Sequence, residues 1–250
     1  MIKIMLCGCS GRMGRFVADE VAGRSDCEIA VGTDIRAYEG APYQIIADPV
    51  LWRGKVDVII DFSNPSALYA LLGYARKTRT PAVIATTGFD AKQLDAIKKA
   101  AKEVPIFYSP NMSLGVSLVT QLAWRAAEAL GGSYDIEIVE AHHNQKLDAP
   151  SGTALLLADA VSDALPEKPE YVYDRHAKKA KRSKNEIGIH SVRGGTITGE
   201  HTVIFAGENE VITISHSAQS RQIFAAGAVN AALFLVGKDN GLYTMKELLG

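Results

Sequence analysis

The chain has 250 residues, a hydrophobic content of 47% and a formal net charge of −1. It is long enough to bury a core in one large domain or two modest ones, and it lacks the basic excess that general binding to nucleic acid or a membrane surface needs. Its three cysteines, Cys7, Cys9 and Cys27, argue against a disulfide framework or a four-ligand zinc site and suit a reducing cytosol, while no apolar run reaches the roughly 18 residues of a membrane helix.

In chain order, Ile2 to Cys7 is a short apolar strand that runs from the N-terminus with no cleavable signal pattern, so a cytoplasmic protein is expected. Gly8-Cys-Ser-Gly-Arg-Met-Gly14 follows, and Arg15 to Ala22 reads as a helix. Strand, glycine turn and helix form the setting of a dinucleotide site. Glycine lets the backbone approach a pyrophosphate, whose charge meets the free N–H groups of a helix start. Glu28 to Thr33 is the next strand, and Asp34 lies twenty residues after Gly14, where an acid is able to hold the adenosine ribose. A tight strand–helix turn wants glycine for structural reasons alone, so it is the combination with the acid that points to a nucleotide.

The alternation continues through a strand at Val56–Phe62, a helix at 67–77, a strand at Ala82–Ala85, a helix at Asp90–Glu103 and a strand at Pro105–Tyr108. This pattern predicts a Rossmann-type doubly wound parallel sheet. Ligands bind beyond the C-terminal strand ends of such sheets, where Asp61-Phe-Ser63, Thr86-Thr-Gly88 and Ser109-Pro-Asn-Met112 stand.

Beyond a boundary near Met112–Leu114 the pattern changes. Leu114 to Leu130 reads as a helix, Tyr134 to Glu140 as a strand and Thr153 to Leu165 as a helix. Residues 167–188 are polar and carry Arg175, Lys178, Lys179, Lys181, Arg182 and Lys184, which reads as a solvated loop rather than a substrate-attracting patch. Ile189–Arg193, Thr196–Gly199, His201–Ala206 and Glu210–His216 look like strands joined by short glycine-containing turns, an antiparallel pattern. Ser220 to Val236 closes the series as an alanine-rich helix. The expected fold is α/β, a parallel sheet plus a second α+β domain with a mixed or antiparallel sheet.

The stretch Glu140-Ala-His-His-Asn-Gln-Lys-Leu-Asp-Ala-Pro-Ser-Gly-Thr153 concentrates polar chemistry between a strand and a helix. Ser151 is a cap candidate, and the small residues around it make the helix start an anion site. His142, His143 and Lys146 stand just upstream as candidates for proton transfer and charge. Each also has a structural reading, as a satisfied histidine or a surface lysine. Asp148 reads as a turn residue. A metal pair is disfavoured because adjacent histidines at a strand end point to opposite faces, and no third ligand stands at a recognisable spacing. The residues by themselves point to a nicotinamide oxidoreductase acting on a small acid.

The same stretch resembles the signature of the dihydrodipicolinate reductases. Gly8–Gly14, Gly88-Phe89, Pro110-Asn111, Gly199-Glu-His201, Ser220-Arg221 and Phe224-Ala225 fit the same family, so the resemblance spans the chain. It implies that Gly8, Cys9, Ser10, Gly11, Arg12 and Met13 hold NADH or NADPH, that Asp34 takes the ribose, and that Ala85, Thr86, Thr87, Ser109, Pro110, Asn111 and Met112 line the nicotinamide end. It makes His142 a proton donor/acceptor and Lys146 a proton donor, with His143 and the backbone of Gly152 and Thr153 gripping the carboxylates of a cyclic dicarboxylate. It implies a nucleotide domain of residues 1–112 with 222–250. Residues 113–221 then form a substrate and oligomerisation domain of a homotetramer. The implied reaction is reduction of 4-hydroxy-tetrahydrodipicolinate to tetrahydrodipicolinate in lysine and diaminopimelate biosynthesis.

Two departures stand out. Cys9 and Ser10 replace smaller residues and bring a thiol, open to oxidation, toward the pyrophosphate. Ile35 follows Asp34 where a basic residue would select a 2′-phosphate, and Arg36 is the nearest cation, which leaves the choice between NADH and NADPH open. The alternatives are a dehydrogenase of another small carboxylate and a non-catalytic dinucleotide sensor, for which a His142/Lys146 pair would serve no purpose.

Overall fold

The computed structural model describes residues 1–177 and 179–250, so Lys178 of the basic run lies outside the described residues. In chain order the elements begin with β1 (Ile2–Cys7), α1 (Arg12–Ala22), β2 (Cys27–Thr33), β3 (Ile45–Ile46), β4 (Val58–Asp61), α2 (Leu68–Thr78), β5 (Ala82–Ile84), α3 (Ala91–Ala100) and β6 (Pro105–Tyr108). They continue with α4 (Leu114–Leu130), β7 (Asp135–His142), α5 (Gly152–Ala164), β8 (Glu170–Val172), β9 (Glu186–Arg193), β10 (Glu200–Ala206) and β11 (Val211–Ser217). The chain ends with α6 (Gln222–Leu235), β12 (Gly241–Tyr243) and α7 (Met245–Leu249). It forms two compact units, Met1–Leu114 with Arg221–Gly250, and Gly115–Ser220.

The first unit holds a seven-stranded sheet in the order β12-β6-β5-β4-β1-β2-β3, parallel throughout. Its strands are apolar on both faces because both are covered. Ile4 and Leu6 of β1 pack with Val17 of α1 and the alanines of α6, while Met5 and Cys7 pack with Leu68 and Leu71 of α2 and Ile97 of α3. The helix α3 starts where its sequence says it should: Asp90 accepts from Gln93 N and the Gln93 side chain accepts from Asp90 N, a reciprocal cap. From β1 the chain moves outward to β2 and β3, then returns to build β4, β5 and β6 on the other side. The reversal between β1 and β4 opens a crevice at the strand ends.

The second unit holds a five-stranded sheet in the order β11-β10-β7-β9-β8. Here the sequence reading needs correction. β10 pairs antiparallel with β7 and with β11, but β9 runs parallel to β7, on the side of it away from β10. The expected strand at Thr196–Gly199 is a turn and irregular connection, carrying the chain from one side of β7 to the other. β7 lies inside the sheet with partners on both edges, and its Ile136, Ile138, Glu140 and His142 are buried on one face.

The basic run is also corrected. Arg175 donates to Glu137 and Glu186 at 2.5 Å each, and Arg182 donates to Glu137 at 3.1 Å and Asp135 at 2.9 Å. These two arginines are strapped to the sheet, whereas Lys179, Lys181 and Lys184 are exposed. β3, β8 and β12, of two or three residues each, are too short to carry a periodic signal.

Candidate active site

In the first unit, β1 ends at Cys7 and the chain turns at Gly8, where φ is +75° and a Cβ would sit 2.4 Å from the Phe62 carbonyl oxygen. Only glycine fits there. Gly11 then caps α1 without any side-chain hydrogen bond, so the first-turn N–H groups of an eleven-residue helix have no side-chain cap. A cavity of about 650 Å³ opens at this point, lined by Gly8, Gly11 and Asp34. Ile35, Asp48, Phe62, Ser63 and Asn64 also line it. A tight glycine cradle, an open helix start and an acid at the end of β2 fit a dinucleotide, with its pyrophosphate at Gly8–Gly11 and a ribose toward Asp34.

Asp34 has structural work as well. Its carboxylate accepts from Ser10 N at 3.0 Å and from Arg36 N at 3.1 Å, while Ser10 Oγ donates to the Arg36 carbonyl at 2.5 Å. Cys9 is fully buried in the core and its side chain packs toward Gly32 and Tyr43. Burial pushes its thiol up, so the expectation of an oxidisable thiol facing the pyrophosphate does not hold: a buried neutral thiol is a poor nucleophile. Met13 and Met112 likewise turn their side chains to the core, so any part they take in binding falls to their backbone.

Ala85, Thr86 and Thr87 follow β5, and Ser109, Pro110, Asn111 and Met112 follow β6. The second group is braced internally, for Ser109 Oγ donates to the Asn111 carbonyl at 2.6 Å and Ser113 N donates to Asn111 Oδ1 at 2.9 Å. At the end of β4, Asp61 is 1% exposed and accepts from Ser63 N and Oγ at 3.1 and 2.5 Å. Burial pushes its carboxyl up against those hydrogen bonds.

In the second unit, the alternation of β7 carries the row Ile136, Ile138, Glu140, His142 onto the core-facing side. Its last two members are polar and mark the edge of the site. Glu140 is 0% exposed and its carboxylate is fully engaged. Arg193 donates to both oxygens at 2.7 and 2.8 Å, Ser151 N donates to Oε1 at 3.1 Å, and His142 Nδ1 lies 2.6 Å from Oε2. Burial works against the charge, yet the hydrogen bonds from Arg193 and His142 outweigh it and hold the pKa at about 2.

Ser151 caps α5, its Oγ accepting from Ala154 N at 3.1 Å and standing 2.8 Å from His201 Nε2. His201 is 4% exposed, and its ring meets that of His142 edge to face at 5.2 Å. Burial lowers the His201 pKa to about 4, so the ring is neutral near pH 7. Lys146 Nζ pairs with Asp148 at 2.8 Å, and Arg193 donates to the Asp148 carbonyl at 2.7 Å. The ammonium holds Asp148 below the usual carboxylate range.

The loop from β7 to α5 thus ties together His142, Lys146 and the start of α5, where Gly152 and Thr153 form the first turn. His143, the residue after the strand, is half-buried, while His142 is buried. Glu140, Arg193 and His201 were not singled out from the sequence as site residues. For Glu140 the signal was present, since it stands two residues before His142 on a strand and so shares its face. Asp148, assigned only to the turn, also holds Lys146. Among the described residues no group of three or more His, Cys, Asp or Glu side chains is arranged to hold a metal ion.

Comparison with known proteins gives one family. Residues 2–112 match the model of the dihydrodipicolinate reductase N-terminus, and residues 115–249 that of its C-terminus. The chain is 51% identical to a 4-hydroxy-tetrahydrodipicolinate reductase of Caldanaerobacter subterraneus subsp. tengcongensis, covering 100% of this chain and 98% of that one. It is 45% identical to the enzyme so named from Clostridium tetani, covering 100% and 97%. Among solved structures, the dipicolinate-bound dihydrodipicolinate reductase from Paenisporosarcina sp. TG-14 superposes with a TM-score of 0.81 at 26% identity, covering 98% of this chain and 97% of that one. A myo-inositol dehydrogenase from Corynebacterium glutamicum, at 18% identity and a TM-score of 0.60 over 96% and 90%, shares the fold.

Proposed function

The chain belongs to the dihydrodipicolinate reductase family, and from that premise we propose how its residues divide the work. It is an NAD(P)H-dependent oxidoreductase that reduces 4-hydroxy-tetrahydrodipicolinate to tetrahydrodipicolinate in lysine biosynthesis. Bound NAD(P)H supplies the hydride. Gly8 to Met13 hold the pyrophosphate, Asp34 holds the adenosine ribose, and the turns after β5 and β6 line the nicotinamide end.

In the second unit, His143 and the N–H groups of Gly152 and Thr153 hold the two substrate carboxylates. Negative charge that develops on the ring as it is reduced is met by these preorganised donors and is quenched by a proton from His142 or Lys146. The observation that carries this reading is the β7–α5 loop, which brings an imidazole, a paired ammonium and a capped helix start into one hydrogen-bonded set. Rigid holding of this kind contributes much of a rate enhancement.

A coupled assay tests the reading: the substrate is generated from pyruvate and aspartate semialdehyde, and NAD(P)H absorbance is followed. Oxidation with at least one cofactor is expected, and none with either would overturn it. A homotetramer in the cytoplasm completes the proposal, assembled through the five-stranded sheet, on whose outer face Val192 and Val211 remain exposed. Sedimentation at micromolar concentration should give four chains, and a monomer would refute the assembly. All three cysteines are free and buried, as suits a reducing compartment.

A further inference from the structure

We infer that Glu140 is the positioning residue of the substrate site, a single buried carboxylate that sets the tautomer and direction of His142 and ties the carboxylate socket to it. The inference rests on the proposed function, with His142 rather than Lys146 as the group that gives the proton. It adds a residue that touches neither substrate nor cofactor and acts through its neighbours.

Both carboxylate oxygens act only as acceptors, so the 2.6 Å contact with His142 requires the imidazole to donate from Nδ1. Nδ1 therefore keeps its hydrogen in both states of the ring, and the exchangeable proton is on Nε2. That nitrogen has no hydrogen-bond partner among the described residues, and the side chain keeps 11% exposure. The Nε2 edge of the ring lies beside the bare backbone of Gly199, where a Cβ would stand only 3.0 Å away, and the His201 ring meets it edge to face at 5.2 Å. When the imidazolium gives its Nε2 proton to the reduced ring, it is left as the neutral Nδ1–H tautomer, still bonded to Glu140. No rearrangement is needed before the next proton arrives at Nε2 from solvent.

The same carboxylate reaches the socket. Ser151 N donates to Oε1, so the residue that caps α5 and the acid that delivers the proton are bonded to one group. Arg193 completes the frame, bridging both oxygens of Glu140 to the Asp148 carbonyl, while the Asp148 carboxylate holds Lys146. Buried carboxylates that orient an imidazole play this part in hydrolytic triads, where they fix the tautomer without being protonated themselves. An amide is a poor substitute here. The carboxylate is approached by N–H groups of Arg193, His142 and Ser151, so the NH₂ of glutamine would face at least one donor.

The test has two arms. In the wild-type enzyme, ¹⁵N NMR of labelled histidine, followed into the range where the His142 ring is neutral, should show hydrogen on Nδ1 and none on Nε2. The opposite tautomer, which free imidazole favours, would overturn the inference, and this arm involves no variant that could misfold. In the second arm, Glu140→Gln should lower kcat on the order of 10- to 100-fold per folded enzyme and leave KM for NADH unchanged. Wild-type kcat would overturn it. His142→Gln serves as the reference. If His142→Gln turns over normally, the proton-transfer assignment itself fails. If His142→Gln is slow and Glu140→Gln is fast, only the role of Glu140 falls.

Discussion

Glu140 sits at 0% exposure and keeps its charge because N–H donors from Arg193, His142 and Ser151 replace the water that burial strips from it. The polar residues of this site work as a set in which each holds the next. Lys146 is half-buried and paired with Asp148, which gives its ammonium a fixed place. His142→Gln and Lys146→Ala should each lower kcat by a factor on the order of 10² or more in the coupled assay. Near-normal turnover in both would remove them from the mechanism. Asp34→Ala gives a separable result. Because Asp34 also anchors Ser10 N and Arg36 N, its loss should weaken both cofactors, and it should raise KM for NADH more than for NADPH, whose 2′-phosphate gains from removal of a negative charge. The reverse order would refute the ribose assignment.

At the level of elements, α5 is the part whose placement matters most. Its thirteen residues are apolar along the face packed on β7, with Ala154, Leu157, Ala158 and Val161 buried, and its first turn is the proposed socket. Ser151 holds that turn in two ways, its Oγ accepting from Ala154 N and its N–H donating to Glu140. Ser151→Ala removes the cap and also takes from His201 Nε2 its hydrogen-bond partner. Urea denaturation should show a loss of about 1 to 3 kcal/mol, the sum of a lost cap and an unsatisfied buried nitrogen. Steady-state kinetics should show a raised KM for the dicarboxylate. An unchanged KM would separate the cap from the binding of substrate.

For the molecule as a whole, the buried polar set of the second unit links stability to pH. His201 takes up a proton near its ordinary value of 6.5 in the unfolded chain but resists until about pH 4 when folded. Its contribution is therefore fully present above pH 6.5 and is lost as pH falls toward 4, on the order of 3 kcal/mol in all. Glu140, held at about 2 against an ordinary 4.5, adds a second loss of the same sign between those values. Urea unfolding at pH 7.5, 5.5 and 4.5 should show declining stability, and His201→Gln should flatten the upper part of that decline. An equal slope in the variant would show that the acid sensitivity lies elsewhere.

Much of this protein was legible in its sequence because the relevant signals are local. Apolar runs alternating with amphipathic helices specify a parallel sheet covered on both faces. Gly8 announces a turn that only glycine can make. A serine before an apolar helix announces a cap, and Glu140–Thr153 announces a site. What the sequence left unresolved depends on register between distant strands. The parallel pairing of β7 with β9 brings Arg193 beside His142 and within reach of Glu140, and it brings the acids of β7 to Arg175 and Arg182. The pairing of β7 with β10 sets His201 opposite Glu140. No local pattern encodes those meetings, because hydrogen-bonded register is chosen by which strand wins each edge of β7, and that choice is made by the whole core. The linear chain therefore determined which residues stand as candidates for the chemistry. Tertiary structure decided how they are held, since a charge can remain buried only where partners from several strands converge on it.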